Sequence, residues 1–459
     1  MLRAATARRL GVERRALFAA VSRLNHTSKE QIKATQQHGH RELAFRSLPD
    51  EKLDLIGSAK PSMTETIKDI PRLLEDLFLP RDYATSTSHD YLPYVKWQFV
   101  ASVAGSTAGV LSMQSLLYAI GLQSGTIPMA AALNWVIKDG LGQFGGVLFA
   151  SLVNHRFDAD PKRWRAVSAV AMDAATLIEI LTPLVPAYFL PMAATANVAK
   201  NISWLSASAT RAGFHYSFAQ RENLADITAK AGSQSIASSI AGTALGIAIS
   251  PIVGTSTVHV AAAFGVLSCL NLFSIYKSLS VVALRTLNQQ RLHLIVDEYW
   301  QEDKVLQPTD VNGLEKFVST IFSGYPNRFQ RSTVALSSRL DQVLTPSTIQ
   351  WPEKYIIHVS PGHVVHLLLE ADATSVDVLT AHLHLVKLQM YLEESMEPTQ
   401  ALHQSYADLH SKHSKHSQMS RRDHFINEML DSEWHCDHLL VEEVEARYKI
   451  HDSPSTSAQ

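Results

Sequence analysis

Residues 231–276, AGSQSIASSIAGTALGIAISPIVGTSTVHVAAAFGVLSCLNLFSIY, decide how the chain folds. Across these 46 residues, from Ala231 to Tyr276, His259 is the one acidic or basic side chain. At about 1.5 Å per helical residue, each half of the stretch reaches most of the way across a hydrocarbon layer of about 30 Å. Pro251-Ile252-Val253-Gly254 supplies the break between the halves. The stretch predicts a pair of apolar helices joined by a tight turn.

The same pattern recurs upstream. Trp97 to Ile137 runs 41 residues without charge and is interrupted by Gly121, Gly125 and Pro128, so one helix cannot use all of it, although Phe99 to Gln123 alone suffices for a crossing. Lys138 and Asp139 then read as bracketing a turn; neighbouring side chains diverge on a helix, so no ion pair between them is expected. Gly140 to Asn154 is uncharged but short, which fits a re-entrant or buried helix. Ile180 to Ala199 is uncharged and carries Pro183, Pro186 and Pro191, which kink or break a helix. Small residues stand four apart at Ala101/Gly105/Gly109, Gly142/Gly146 and Gly242/Gly246. That spacing brings helix backbones close in lipid, and equally in an Ala/Gly-rich soluble core. The scattered Ser, Thr, Asn and Gln keep a soluble helical domain as the alternative to a multi-spanning one.

The flanks differ. Residues 1–28 hold six arginines against the single acid Glu13, with Leu2, Leu10, Leu17, Phe18, Val21 and Leu24 between them. This is the composition of a mitochondrial targeting presequence, with a plastid address as the alternative and a basic tail as the bland reading, and no long apolar run marks a secretory signal. Residues 29–74 read as a polar linker. After Leu284 to Trp300, an exit helix, the composition becomes that of an ordinary soluble α+β domain over residues 301–451. Lys354–Ser360 and His363–Glu370 are strands joined at Pro361-Gly362, and Val376–Glu394 and Arg421–Trp434 are helices. Residues 452–459 form a polar, disordered tail. The expected fold is mainly α, a central apolar helical domain with a smaller C-terminal α+β domain. Over 459 residues, 41 Lys and Arg stand against 43 Asp and Glu, a net charge of −2 that argues against nucleic acid bound through bulk charge.

Candidate chemistry is sparse. The polar island Arg221–Ser235 carries four charges in its first ten residues, with Glu222, Asp226 and Lys230 four apart and able to pair along one helix face. Its sharp reading is an anion pocket of Arg211, Arg221 and Lys230, with Gly232–Ser235 as the N-cap of a following helix; its bland reading is a solvated connection. Asp173 and Glu179 interrupt apolar sequence, and an acid in lipid needs a partner or water, here Arg165 or Lys200. His435, Cys436 and His438 offer zinc-compatible atoms without a second pair of ligands, and Lys412–Ser417 reads as a solvated linker, so no metal is expected.

Asn134-Trp135-Val136-Ile137-Lys138-Asp139-Gly140-Leu141-Gly142, Lys162-Arg163-Trp164-Arg165, Ala209-Thr210-Arg211-Ala212, Asn223 to Lys230 with Gly232-Ser233-Gln234, and Leu284 to Arg291 stand in the order found in the root UV-B sensitive (RUS) family. Phe78-Leu79-Pro80 and Asp90-Tyr91 match too, and the resemblance covers about residues 75–300. It implies a non-enzymatic organellar membrane protein linked to UV-B responses and vitamin B6 homeostasis, sensing, carrying or scaffolding, and self-associating or pairing with RUS-family members. Its motifs single out Arg211, Arg221, Asn223, Asp226, Lys230, Ser233 and Gln234 as ligand-binding residues, and Trp135, Asp139, Gly140, Trp164, Arg165 and Asp173 as motif positions. The B6 link makes Lys230 the candidate for an aldimine with pyridoxal phosphate, the enzyme alternative. Two departures stand out: Ser203–Ser208 replaces a glycine-rich approach to the Thr-Arg motif, and Ala231 stands where an Asp often precedes Gly-Ser-Gln.

Overall fold

The computed structural model describes residues 33–38, 41–47, 53–55, 71 and 73–449, except 125–127, 154–155, 319–328, 330, 337, 345–351, 414–418 and 442–445. The presequence and the C-terminal tail lie outside them. Two compact units divide the chain between Leu74 and Glu75. The first holds an antiparallel sheet of β1 (Lys33–His38), β2 (Arg41–Ser47) and β3 (Leu53–Leu55). The second is mainly α.

Six long helices build its first part: α1 (Tyr91–Ser124), α2 (Pro128–Val153), α3 (Pro161–Leu181), α4 (Phe189–Phe218), α5 (Leu224–Val253) and α6 (Thr257–Ser280). Four stretches, Tyr91–Gly121, Pro161–Leu184, Leu224–Val253 and Thr257–Ser280, are long and apolar enough to cross a membrane. The helices start and stop for local reasons. Asp160 caps α3 by accepting from the Arg163 N–H at 3.3 Å, with Pro161 in the first turn. Pro183 and Pro186 sit in two 3₁₀ turns, Thr182–Leu184 and Pro186–Tyr188, that separate α3 from α4. Gly254, at φ 70°, ends α5, which tolerates Pro251 in its last turn.

The turn after Val253 lies where the sequence puts it, yet α5 and α6 pack chiefly on opposite flanks of α1 rather than on each other. The small-residue spacing explains the α5 contact. A Cβ on Gly242 would meet the Val103 carbonyl oxygen at 2.5 Å, and one on Gly246 would meet Val110 Cβ at 2.7 Å. The gap between them is closed by Thr107, whose Oγ1 donates to the Gly242 carbonyl at 3.0 Å. Gly142, Gly145 and Gly146 serve the α2–α4 contact in the same way, against Asn197, Val198 and Asn201.

Two expectations are corrected. Gly140–Asn154 is not a short separate helix: α2 runs unbroken from Pro128 to Val153 and leaves Val136, Phe144 and Val147 exposed. Lys138 and Asp139 therefore sit inside a helix rather than at a turn, and their side chains do pair, at 2.5 Å. The Lys138 stem folds back over the Trp135 ring, with Nζ 4.7 Å from its centroid, which frees the ammonium to meet its neighbour.

Beyond α6 the chain enters β4 (Thr286–Asn288) and α7 (Gln289–Glu302), so the expected exit helix begins as a strand. Two further strands, β5 (Thr333–Ala335) and β6 (Tyr355–Ser360), follow. β6 forms a hairpin with β7 (Val364–Leu369) through Gly362 at φ 90°, and β5 lies parallel to β7. α8 (Ser375–Glu393) starts at a Thr374/Asp377 capping box and fills the core against α7, α9 (Pro398–His410) and α10 (Arg421–Leu430). β8 (His435–Leu440) returns to pair in parallel with β4. The helix expected over Arg421–Trp434 stops at Leu430.

Candidate functional site

The six helices alternate in direction, so α1, α3 and α5 begin, and α2, α4 and α6 finish, at one end. Family-like motifs from distant parts of the sequence gather there. Asp226, Lys230 and Gln234 lie one turn apart on α5 and face the segment that leads into α1. Asp226 Oδ2 accepts from the Arg81 N–H at 2.8 Å, Lys230 donates to the Asp76 carbonyl, and Gln234 Nε2 donates to the Phe78 carbonyl at 2.6 Å. Pro80 keeps this segment from continuing as helix, so its backbone groups need partners, and the α5 stripe supplies them. The expected pairing of Glu222, Asp226 and Lys230 along their own helix is replaced by this grip: Glu222 lies in the turn before α5, at φ 54°, and Asp226 and Lys230 bond to backbone. Gly232 to Ser235 cap no helix either, being inside α5, where Ser233 Oγ only approaches the Ala229 carbonyl at 3.5 Å. Asn223, the residue before α5, makes no capping bond, and its Nδ2 is buried without a partner.

A second convergence is ionic. Glu315 accepts Arg291 Nη2 at 2.7 Å and Nε at 2.9 Å on Oε1, and Lys162 Nζ at 2.6 Å on Oε2. Lys162 also donates to Asn312 Oδ1 at 2.6 Å, and Arg291 to the Thr286 carbonyl at 2.8 Å. Lys162 opens α3 and Arg291 opens α7, so the cluster ties the helical bundle to the C-terminal part. Its members are buried, with 0% exposure at Lys162 and 1% at Arg291, where an unpaired charge would be costly. Burial pushes the Glu315 carboxyl up, but Arg291 and Lys162 together outweigh it and hold it at about 2. Asp160 shows the opposite balance: burial raises it to about 6 against the pull of Arg291.

Two hollows open at this end. A cleft of about 720 Å³ runs between the bundle and the β4/β8 pair, with Thr210, Gly213, Tyr216, Gln220, Arg285 and His435 on its walls. A smaller cavity of about 80 Å³ lies among α1, α4 and α5 and includes Arg211 and Gln234. The three cations of the anticipated anion pocket are thus dispersed. Arg211 lines the cavity, while Lys230 is bound to Asp76 and the exposed Arg221 sits in the turn before α5; neither lines either hollow. Lys230 does not fit an aldimine lysine, since its amine is committed to a carbonyl on the outside of α5.

Polar groups also meet inside the bundle. Glu179 is 3% exposed and takes hydrogen bonds from Lys200 and Ser112. Asp173, 8% exposed, accepts from Ser268 Oγ at 2.5 Å and Asn271 Nδ2 at 3.0 Å, so its partners come from α6 and are not the expected Arg165 or Lys200. The Lys138–Asp139 pair is held by Asn197 of α4, whose Nδ2 donates to the Lys138 carbonyl at 3.0 Å and to Asp139 Oδ1 at 3.2 Å. Sequence reasoning passed over Ser112, Asn197, Ser268 and Asn271; a polar residue on an otherwise apolar helix was the available signal.

Trp164, Arg165 and Gly140 line neither hollow. Trp164 packs edge-on against Phe157 at 5.2 Å and Phe149 at 6.4 Å. Arg165 donates to Ser168 Oγ at 3.2 Å, and Gly140 is exposed with open space beside it. Among the described residues, no group of three His, Cys, Asp or Glu side chains could hold a metal ion. On β8, Cys436 is buried and His435 exposed; the His438 side chain lies outside the described residues.

Residues 64–303 match the family model described as the vitamin B6 photo-protection and homoeostasis domain. The chain is 31% identical over 335 residues to protein root UVB sensitive 2, chloroplastic, of Arabidopsis thaliana, covering 70% of this chain and 75% of that one. It is 31% identical over 338 residues to root UVB sensitive 6 of the same plant, covering 72% and 66%. Root UVB sensitive 5, 27% identical over 432 residues, extends the similarity over 88% of this chain and 83% of its own. No solved structure matches the chain.

Proposed function

The chain belongs to the root UV-B sensitive family, and from that premise we propose that it is an organellar membrane carrier that moves a small polar solute across the bilayer without chemically changing it. The observation that carries this reading is the cluster in which Glu179 and Ser112, on two helices long and apolar enough to cross a membrane, meet Lys200 of α4. Ionisable side chains are expensive at such depth and line pathways for ions and solutes. The Asp173 group, held by Ser268 and Asn271, extends the polar interior to α6. The description of the matched domain makes a B6 vitamer the first solute to test.

Uptake of radiolabelled pyridoxine by proteoliposomes containing the full chain provides the test. The reading expects flux above that of protein-free liposomes and its loss in Glu179→Gln. Flux equal to the protein-free control, from protein that has inserted, would end it. The arginine-rich segment 1–28 and the word chloroplastic in a relative's name both support an organelle address, and import into isolated mitochondria and plastids distinguishes the two destinations.

A further inference from the structure

We propose that the cavity among α1, α4 and α5 is a subsite for a phosphate group, with Arg211 as its principal anchor. The idea deepens the carrier reading and rests on it for placing the cavity at the membrane boundary. Polar side chains from all three helices line it, among them Gln98 and Ser102 from α1, Arg211 and His215 from α4, and Gln234 and Ser238 from α5. No acid lines it. Among the described residues Arg211, an exposed side chain, makes no hydrogen bond or ion pair, and it lies within electrostatic range of a second cation, Arg165, which donates to Ser168. Two guanidinium groups held near each other with no carboxylate partner create a local positive potential that an anion would relieve.

The cavity also has an unmet polar group. Gln98 Oε1 is buried with no partner, and the amide, turned by 180°, presents its NH₂ at the same place. The neighbouring side chains are fixed by their own contacts: Gln234 Nε2 donates to the Phe78 carbonyl and the Tyr91 hydroxyl, and His215 Nδ1 meets Thr228 Oγ1 at 3.1 Å. At about 80 Å³ the space suits a single phosphate group and not a whole nucleotide. Such a group belongs either to a soluble phosphorylated molecule or to a phospholipid head entering from the adjoining bilayer.

Calorimetric titration of the full-length protein in detergent with inorganic phosphate tests the assignment. Saturable binding is expected, weakened about tenfold or more by Arg211→Gln, partly retained by Arg211→Lys, and unaltered by Arg221→Gln. Repeating the titration in nanodiscs with and without phosphatidic acid identifies the source. Competition by the lipid indicates a headgroup site, and its absence a soluble ligand. Unchanged phosphate affinity in Arg211→Gln would overturn the proposal, as would absent binding to wild-type protein that retains its helical spectrum. Phosphate binding that survives in a flux-dead Glu179→Gln variant would separate this subsite from the transport claim.

Discussion

Single atoms decide the contact between α1 and α5. Because the Val103 carbonyl stands 2.5 Å from where a Gly242 Cβ would lie, Gly242→Ala must push α5 away from α1. The expected cost is about 1–3 kcal/mol, read as a lower melting temperature in detergent. Gly105→Ala, with nothing within 4 Å, is the control and should be neutral or slightly stabilising. The equal spacing of Ala101/Gly105/Gly109 and Gly242/Gly246 concealed this difference, because spacing shows which residues share a face and not which face meets a neighbour. Glu315 shows the same limit more sharply. Lys162 and Arg291 stand in separate motifs legible in the sequence, yet their shared acid lies between them in space and in no motif. Glu315→Ala leaves two cations buried, so a loss of about 3–5 kcal/mol is expected, far more than for an exposed pair such as Arg339–Asp341. Equal melting temperatures for the two variants would contradict the buried clamp.

Whole elements were read with uneven success, and the reasons are physical. The β6–β7 hairpin and α8 carry strong local signals, the Pro361-Gly362 turn and a capping box, and both lie where the sequence puts them. α2 was misread because Lys138 and Asp139 look like a terminus, whereas Trp135 and Asn197 accommodate them in mid-helix. α8 carries a pH prediction. Burial pushes His382 down to about 4 and His384 to about 3, so both are neutral in the folded protein at pH 7. Unfolding exposes them to their ordinary value near 6.5, and acidification then favours the unfolded chain by up to about 1.4 kcal/mol per pH unit per histidine. Stability should be level above pH 6.5 and fall from there toward pH 4. Asp160 offsets part of this between about 6 and its ordinary value, since its folded form prefers the proton. Glu315 adds a further loss below 4.5, as protonation toward about 2 removes the charge that Lys162 and Arg291 share. Melting curves from pH 8 to pH 4 check the profile, and His384→Gln should flatten its upper part.

At the scale of the molecule, the two ends of the bundle are chemically unlike. The sequence from Gly121 to Pro128, Thr182 to Tyr188 and Gly254 to Ser256, which joins helices at one end, carries no charge, whereas Arg163, Arg165, Arg211, Arg221, Lys230, Lys277 and Arg285 stand toward the other. With Lys138 and Asp139 assigned to a turn, this segregation was hidden; inside α2 they leave it plain. Basic residues are retained on the inner side of a membrane, so in a membrane crossed by this bundle the charged end, the cleft and the C-terminal part would stand together on that side. Cys269 and Cys436 are the two native cysteines, so a chain carrying Cys269→Ser and Cys436→Ala can report single added sites. The decisive measurement is labelling of Thr255→Cys and Arg221→Cys in sealed proteoliposomes of one sorted orientation, using a membrane-impermeant maleimide. The account predicts that one site labels from outside and the other only after the vesicles are opened. Labelling of both sites from the same side would contradict the crossing by α5 on which the carrier reading depends.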